Sequence, residues 1–192
     1  MLARLIFMVA VMGGTPAMAA DVTVAGQTFP ADVDTPAGEL PRVGAGIAWY
    51  GPFIKVYTAA LYCPSDIPRE RLLAADTPRQ IEIAYLRELD ADVLVEAANK
   101  VLKRQLSNEA LAGLRERVER FHGWYRDVAE GDRFTMRYIP GEGTTLIFNG
   151  EALGTVSGAD FAAAYFGIWL GRNPLSDSLR GELTDSLTGR SG

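Results

Sequence analysis

The chain has 192 residues, of which 48% are hydrophobic and 22% are charged, so it can form one domain with a buried core rather than a disordered chain. Its net charge of −5 argues against the basic surface that binds nucleic acid. A single cysteine, Cys63, and a single histidine, His122, exclude an intramolecular disulfide and a Cys/His zinc site. The Gly44–Gly46 segment lacks the third glycine of a dinucleotide motif, and we expect neither a metal nor a cofactor.

The N-terminus is typical of a secretory signal peptide. Arg4 gives a positive start, Leu5–Met12 is apolar, and Ala17–Ala19 forms a small-residue cleavage pattern. The apolar run is too short to cross a bilayer core of ~30 Å as a helix, and no later segment is long enough. We therefore expect residues 1–19 to be removed and residues 20–192 to form a single domain without a transmembrane segment, in the periplasm or secreted.

The first half of the remaining chain predicts strands. Val22–Val24 is a short strand candidate, and a Pro- and Gly-rich approach continues to Gly46. Pro52–Cys63 is apolar on both faces, which is typical of a central strand covered on both sides. Pro68–Ala75 predicts a short helix, and the alternation in Gln80–Leu86 predicts a second strand.

The second half predicts two helices, a group of strands and two further helices. Asp90 and Ser107 are candidate N-caps for the first two helices, and Gly123 is expected to end the second. The Asn149–Gly150 pair is a strong hairpin signal. The predicted segments are strands at Asp132–Ile139, Thr144–Phe148 and Glu151–Val156, and helices at about Gly158–Leu170, capped by Ser157, and Pro174–Leu187. This order predicts an α+β fold with a mainly antiparallel sheet.

Polar side chains on otherwise apolar strands are the candidate functional residues. Strand alternation places Lys55 and Tyr57 on one face of the central strand, and Tyr85 and Arg87 on one face of the next. A cation beside a tyrosine hydroxyl at the end of an apolar cleft would suit a carboxylate or phenolate ligand. The alternative is that Lys55 extends to solvent at the sheet edge and the tyrosines only pack in the core.

Gly44–Ile47 followed by Phe53–Tyr62 resembles the N-terminal signature of the chalcone isomerase superfamily, and is most similar to its bacterial, exported branch. The resemblance continues over nearly all of the chain after the signal peptide. Three further stretches carry it: Ile83–Leu89, Gly131–Gly154 and Phe161–Gly171. It implies a large antiparallel sheet with helices layered on one face.

Most catalytic positions of the plant enzymes are changed in this chain. Those enzymes cyclise a chalcone to a flavanone, and the resemblance places their arginine at Ala48 and their threonine at Tyr57. A serine or threonine of the late helix falls near Ile168, and only the asparagine of a Tyr–Asn pair is retained, as Asn99. Because each lost hydrogen bond to developing charge costs about 10²–10³ in rate, the resemblance implies little catalysis.

The superfamily also contains non-catalytic members that hold a fatty-acid carboxylate with an arginine and a tyrosine. Tyr57 falls at that tyrosine, while the arginine position is Ala48, so Lys55 or Arg87 would have to replace it. We therefore predict a non-catalytic binder of a small apolar or anionic ligand, such as a fatty acid. The predicted ligand-binding residues are Tyr57, Lys55, Arg87 and Asn99, with no catalytic residue. The alternatives are an isomerase of the intramolecular lyase type with a rebuilt site, and a structural or protein-interaction domain.

Overall fold

The computed structural model describes residues 20–187, so the predicted signal peptide at residues 1–19 lies outside the described residues. The strands are β1 (Val22–Val24), β2 (Gln27–Phe29), β3 (Asp32–Thr35), β4 (Gly38–Tyr50), β5 (Ile54–Tyr62), β6 (Arg79–Tyr85), β7 (Arg133–Ile139), β8 (Gly143–Phe148) and β9 (Glu151–Val156). The helices are α1 (Ala91–Gln105), α2 (Asn108–His122), α3 (Ala159–Leu170) and α4 (Asp177–Leu183). Among these residues, no helix is both long and apolar enough to cross a membrane.

The strands β3 to β9 form one seven-stranded antiparallel sheet whose order follows the chain. The main core lies between one face of this sheet and the helices, whereas the short β1–β2 hairpin covers part of the other face. This arrangement confirms the predicted α+β fold with an antiparallel sheet and helices on one face. It is stabilised mainly by burial of apolar side chains on both faces.

The central strand β5 is covered on both sides, as its sequence predicts. Tyr57, Ala59 and Leu61 face the helices, and Ala60 and Tyr62 belong to the second, smaller core. The strand begins two residues later than expected, because the chain before it forms the turn of the β4–β5 hairpin.

The long strand β4 is the main element that the sequence did not predict. Its prolines and glycines suggest irregular chain, yet the strand runs for 13 residues. The glycines serve close packing instead of a turn: a Cβ at Gly44 would collide with the backbone of Leu183, and one at Gly46 with the side chain of Glu182. Glycine at these positions therefore allows α4 to lie against β4.

Helix α4 and the turn after it also cover the free edge of β4. The strand β3 pairs with β4 only as far as Pro41, which leaves later backbone groups of that edge without a strand partner. The Ile47 amide donates to Glu182 Oε2 at 3.0 Å, and the Ser186 hydroxyl donates to the Val43 carbonyl at 2.5 Å. These contacts satisfy backbone groups that would otherwise be open to another strand.

Local turn and cap signals have mixed outcomes. Asn149 and Gly150 both have positive φ, 48° and 87°, as the predicted hairpin turn requires. The Ser107 hydroxyl accepts a hydrogen bond from the amide of Ala110 at 3.2 Å, which confirms that N-cap, whereas the Asp90 side chain makes no capping bond.

Three predicted helical features differ in extent or in their caps. The helix expected at Pro68–Ala75 is only a 3₁₀ turn at Arg69–Arg71, and the last helix is shorter than predicted. The N-cap of α3 is Gly158 rather than Ser157. Its φ of 107° is a backbone conformation that glycine adopts without the steric strain that a side chain would cause.

Candidate functional site

A small apolar cavity lies between the sheet and the helix layer. Its volume is about 60 Å³, and strands β5 to β8 provide one wall while α1 and α3 provide much of the other. The lining residues are Tyr57, Ile83, Tyr85, Leu94, Ala97, Ala98, Tyr125, Phe134, Met136, Leu146, Ile168, Trp169 and Leu175. An apolar wall with a few hydroxyl groups is the usual composition of a small-molecule site.

Tyr57 is fixed in this cavity by a hydrogen bond to helix α3. The Nε1 atom of Trp169 donates to the Tyr57 hydroxyl oxygen at 3.0 Å, and both side chains are buried. Because the indole is only a donor, the hydroxyl oxygen is the acceptor and its own hydrogen remains free to bind another group. Tyr57 is therefore positioned as a hydrogen-bond donor to the cavity.

Two further tyrosines place hydroxyl-bearing rings around the same space. The Tyr85 ring packs edge-on against Tyr57, with centroids 6.0 Å apart, and no hydrogen bond joins its hydroxyl to another residue in 20–187. The Tyr165 hydroxyl donates to the Tyr125 hydroxyl at 3.2 Å, so the Tyr125 hydrogen is also available. The cavity wall thus carries three phenol groups whose hydroxyl hydrogens are not donated to another described residue.

Burial keeps these phenols protonated. Loss of hydration raises the pKa of Tyr57 to about 12, with the hydrogen bond from Trp169 acting in the opposite direction. Burial likewise raises the pKa of Tyr125 to about 12 and that of Tyr85 well above its ordinary value. At neutral pH the three groups are neutral donors, which suits recognition of a carboxylate or carbonyl oxygen better than proton abstraction.

The structure separates Lys55 from Tyr57. A bulge in the pairing of β4 with β5 sets Trp49 opposite Lys55 and Ala48 opposite Tyr57, with Val56 as the additional residue. Residues directly opposite each other on paired strands point to the same face of the sheet. Trp49 and Ala48 are adjacent and point to opposite faces, so their partners Lys55 and Tyr57 also point to opposite faces. Lys55 is exposed, with its ammonium 5.5 Å from the centre of the Trp49 ring.

The other predicted ligand residues also lie outside the cavity lining. Arg87 is exposed just beyond β6, and Asn99 is half-buried on α1. Arg87 remains near Lys55, because the amide of Leu86 donates to the carbonyl of Val56 at 3.0 Å. Of the four predicted site residues, only Tyr57 lines the cavity, and ligand contact by the other three stays a prediction.

Trp169 and Tyr125 are the cavity residues that sequence reasoning missed. Trp169 belongs to α3, which is apolar nearly all round, so its spacing indicates a buried helix without singling out a functional side chain. Tyr125 follows the end of α2 in a short loop and carries no periodic signal. Tyr85 was visible as a polar group on a buried strand, but only the fold brings these residues together.

The isolated cysteine and histidine have packed environments. Cys63 is fully buried, and burial raises the pKa of its thiol to about 12. His122 is half-buried beside the rings of Tyr125 and Tyr165, and loss of hydration lowers its pKa to about 4. Within residues 20–187, no group of three or more His, Cys, Asp or Glu side chains is placed to hold a metal ion.

Comparison with known families agrees with this architecture. The model of the chalcone isomerase-like family matches residues 21–184, which is most of the chain. The chain belongs to the chalcone isomerase-like family. The match includes β4 to β6 and α3, and therefore the strand and helix that carry Tyr57 and Trp169.

A solved structure shows that this chalcone isomerase-like chain shares its fold with a binding protein. The crystal structure of a fatty-acid binding protein of Arabidopsis thaliana superposes with a TM-score of 0.67 at 17% sequence identity. The similarity covers 86% of this chain and 96% of that protein. No curated protein matches the sequence.

Proposed function

We propose that this protein is a non-catalytic binder of a small apolar ligand with an oxygen acceptor, such as a fatty acid, and that Tyr57 receives the acceptor. The observation that carries this proposal is the apolar cavity into which Tyr57, Tyr85 and Tyr125 can each donate a hydrogen bond. Hydrogen bonds to a charged group are worth ~1.5–3 kcal/mol net, which is enough to orient a carboxylate without a neighbouring cation.

The size of the cavity defines how a ligand enters. Its volume of about 60 Å³ is far below the ~300–1,000 Å³ of most small-molecule pockets, so binding must displace part of the wall. Leu175 is the part of the wall most open to solvent, with 41% of its surface exposed, and Leu94 is half-buried on α1. We expect the ligand to enter between these two leucines and to widen the cavity.

The solved fatty-acid binding protein supports this class of ligand by its fold. This chain shares the architecture of that protein and has an apolar cavity between its sheet and its helices. The raised pKa of each phenol supports binding over acid–base catalysis.

Displacement of a fluorescent long-chain fatty acid tests the proposal. Tyr57→Phe is expected to weaken binding by roughly 10–100-fold, because it removes a buried donor to the carboxylate. Tyr62→Phe is the matched control, since Tyr62 lies in the core on the opposite sheet face and bonds to the Pro30 carbonyl. Equal affinity of wild type and Tyr57→Phe would show that the carboxylate lies elsewhere.

The same assay distinguishes the two orientations of the ligand. With the carboxylate at Tyr57, the variants Lys55→Gln, Arg87→Gln and Asn99→Ala should each change affinity less than about 3-fold, a difference well under the ~1.4 kcal/mol of one decade. A large loss in Lys55→Gln or Arg87→Gln, together with no effect of Tyr57→Phe, would place the head group at the exposed end instead.

The small volume also favours a second candidate, a structural or protein-interaction domain with a filled core. In that case wild type shows no saturable binding of any long-chain acid at micromolar protein. Deleting Leu175 beyond its Cβ (Leu175→Ala) would then leave the absence of binding unchanged, whereas under the first proposal it should ease entry.

We further propose that the protein is a bacterial, exported member of its family and acts in the periplasm after removal of residues 1–19. The support is the Arg4 start, the short apolar run and the small residues at Ala17 and Ala19. N-terminal sequencing of protein recovered from the periplasm should begin at Ala20 or Asp21. Retention of Met1 in the exported protein would contradict the cleavage.

A further inference from the structure

The tip of the β4–β5 hairpin, defined here as residues 49–55, exposes an unusual amount of apolar surface. Trp49 is 46% exposed, Tyr50 74%, Phe53 86% and Ile54 40%. The three-residue turn that joins the strands contains Gly51 with a φ of 61° and therefore reverses the chain tightly. Four large apolar side chains are thus presented together on a turn that extends beyond the last pairing of β5 with β6.

The apolar exposure is concentrated at the end of the molecule that carries the cavity. Six large hydrophobic side chains are exposed among residues 20–187, and four of them belong to the hairpin tip. The other two are Leu175, which lines the cavity, and Val93, which precedes the lining residue Leu94. Concentrated apolar exposure of this kind is typical of an interaction site rather than of ordinary surface.

Two cations accompany the aromatic tip. Lys55 lies at the tip itself, and Arg87 is held nearby by the pairing of Leu86 with Val56. Neither cation forms an ion pair with a described residue, although Glu88 and Asp90 follow Arg87 along the chain. Unpaired cations beside apolar side chains complement the phosphates of a lipid head-group layer.

We propose that the hairpin tip docks onto the surface of a phospholipid membrane. Trp and Tyr favour the boundary between water and hydrocarbon, since their rings are apolar and their N–H or O–H remains hydrated. In this arrangement Phe53 and Ile54 enter the outer part of the acyl layer, while Lys55 and Arg87 remain among the phosphates. A turn that exposes aromatic side chains beside cations without an ion-pair partner among the described residues matches the apolar and phosphate layers of a lipid surface.

Tyr57 lines the cavity and follows Ile54 of the tip by only three residues on β5, so docking by the tip brings this part of the cavity wall close to the membrane. If the cavity binds a fatty acid, as proposed above, its ligand is exchanged directly with the membrane; this consequence alone rests on the proposed function. Docking by the hairpin tip requires only the exposed side chains and does not depend on occupancy of the cavity.

Vesicle flotation of the purified protein tests the docking. Wild type should float with phosphatidylcholine vesicles, and more strongly when phosphatidylglycerol is included. The double variant Tyr50→Ser/Phe53→Ser should bind both vesicle types about 10–100-fold more weakly, as expected for removing one or two buried aromatic side chains from an apolar phase. Both residues are exposed, so the variant should melt within a few degrees of wild type.

The charge contribution is measured separately. Lys55→Gln and Arg87→Gln should lose most of the additional binding to phosphatidylglycerol and keep the binding to phosphatidylcholine. Lys103→Gln, which removes an exposed lysine of α1 away from the tip, is the matched control and should bind as wild type does. Brominated lipids should quench tryptophan emission in wild type, and Trp49→Phe should abolish most of that quenching although Trp124 and Trp169 remain.

Three results would overturn the docking proposal. The first is that wild type floats with neither vesicle type, and the second is that Tyr50→Ser/Phe53→Ser floats as well as wild type. The third is that wild type forms a dimer that does not float with vesicles, while Tyr50→Ser/Phe53→Ser is a monomer. The last result would assign the tip to a second copy of the chain. Fatty-acid displacement without vesicles is measured in parallel, because it reports only on the cavity and so separates failure of the proposed function from failure of the docking.

Discussion

The hydrogen bond from Trp169 to Tyr57 makes a quantitative prediction about stability. Tyr57→Phe leaves the indole N–H buried without an acceptor, because the hydroxyl oxygen 3.0 Å away is its partner and both side chains are buried. An unsatisfied buried donor costs ~1–3 kcal/mol, so the free energy of unfolding should fall by about that amount. Trp169→Phe also removes the bond, together with the packing of the larger ring.

The double variant Tyr57→Phe/Trp169→Phe isolates the hydrogen bond itself. Because the bond can be lost only once, the double variant should be less destabilised than the sum of the single variants, with a coupling of about 0.5–1.5 kcal/mol. Urea unfolding of all four proteins gives the values, provided that the dependence on urea concentration is the same in each. If the effects of the two single variants add to within about 0.3 kcal/mol, the two side chains do not interact. That result would refute the hydrogen bond by which Trp169 positions the Tyr57 hydroxyl.

Three further outcomes are expected. Gly44→Ala should lower the free energy of unfolding by about 1–3 kcal/mol in urea titrations, because the added Cβ meets the backbone of Leu183. The control Gly113→Ala, on the open surface of α2, should raise stability by up to about 1 kcal/mol. A Gly44→Ala variant as stable as wild type would contradict the close packing of α4. Asn149→Ala should cost about 1–3 kcal/mol in thermal or urea unfolding, because it strains a φ of 48° and removes the bond from the Arg133 amide to Asn149 Oδ1 at 2.8 Å. Burial lowers the pKa of His122 from 6.5 to about 4, so the unfolded state binds more protons in this range and the free energy of unfolding falls as pH decreases from 6.5 to 4. His122→Gln should reduce this dependence of stability on pH by up to about 1 kcal/mol per pH unit. An unchanged pH dependence would argue against burial of a neutral imidazole.

Most of the fold follows from local sequence patterns. The alternation in β6 and β7, the apolar faces of β5 and the Asn149–Gly150 turn all specify their structures through side-chain burial or backbone conformation. Strand β4 does not, because its Gly44 and Gly46 make room for a helix far along the chain. A local pattern cannot distinguish that role from a turn.

The candidate site was predictable only in part for the same reason. Tyr57 could be identified as a polar group on a buried strand, but its partner Trp169 is 112 residues away and lies on a helix with no polar face. Alternation predicts that Lys55 and Tyr57 share a face, but the bulge between them puts them on opposite faces. A bulge changes the face of every residue beyond it and leaves no clear mark in a single sequence.

The closure of the β4 edge by α4 has a consequence for the order in which the molecule can be completed. The amide of Ile47 and its acceptor Glu182 are 135 residues apart. The free edge of β4, which is synthesised early, therefore stays open to pairing with other chains until almost the whole chain has folded. A nascent or truncated chain lacking α4 would keep the strands of the sheet yet present the backbone groups of Val43–Ile47 to other chains. If the chain is exported before folding, as proposed above, β4 and α4 arrive on the same side of the membrane together, which limits the time during which the exposed edge of β4 can pair with a strand of another chain.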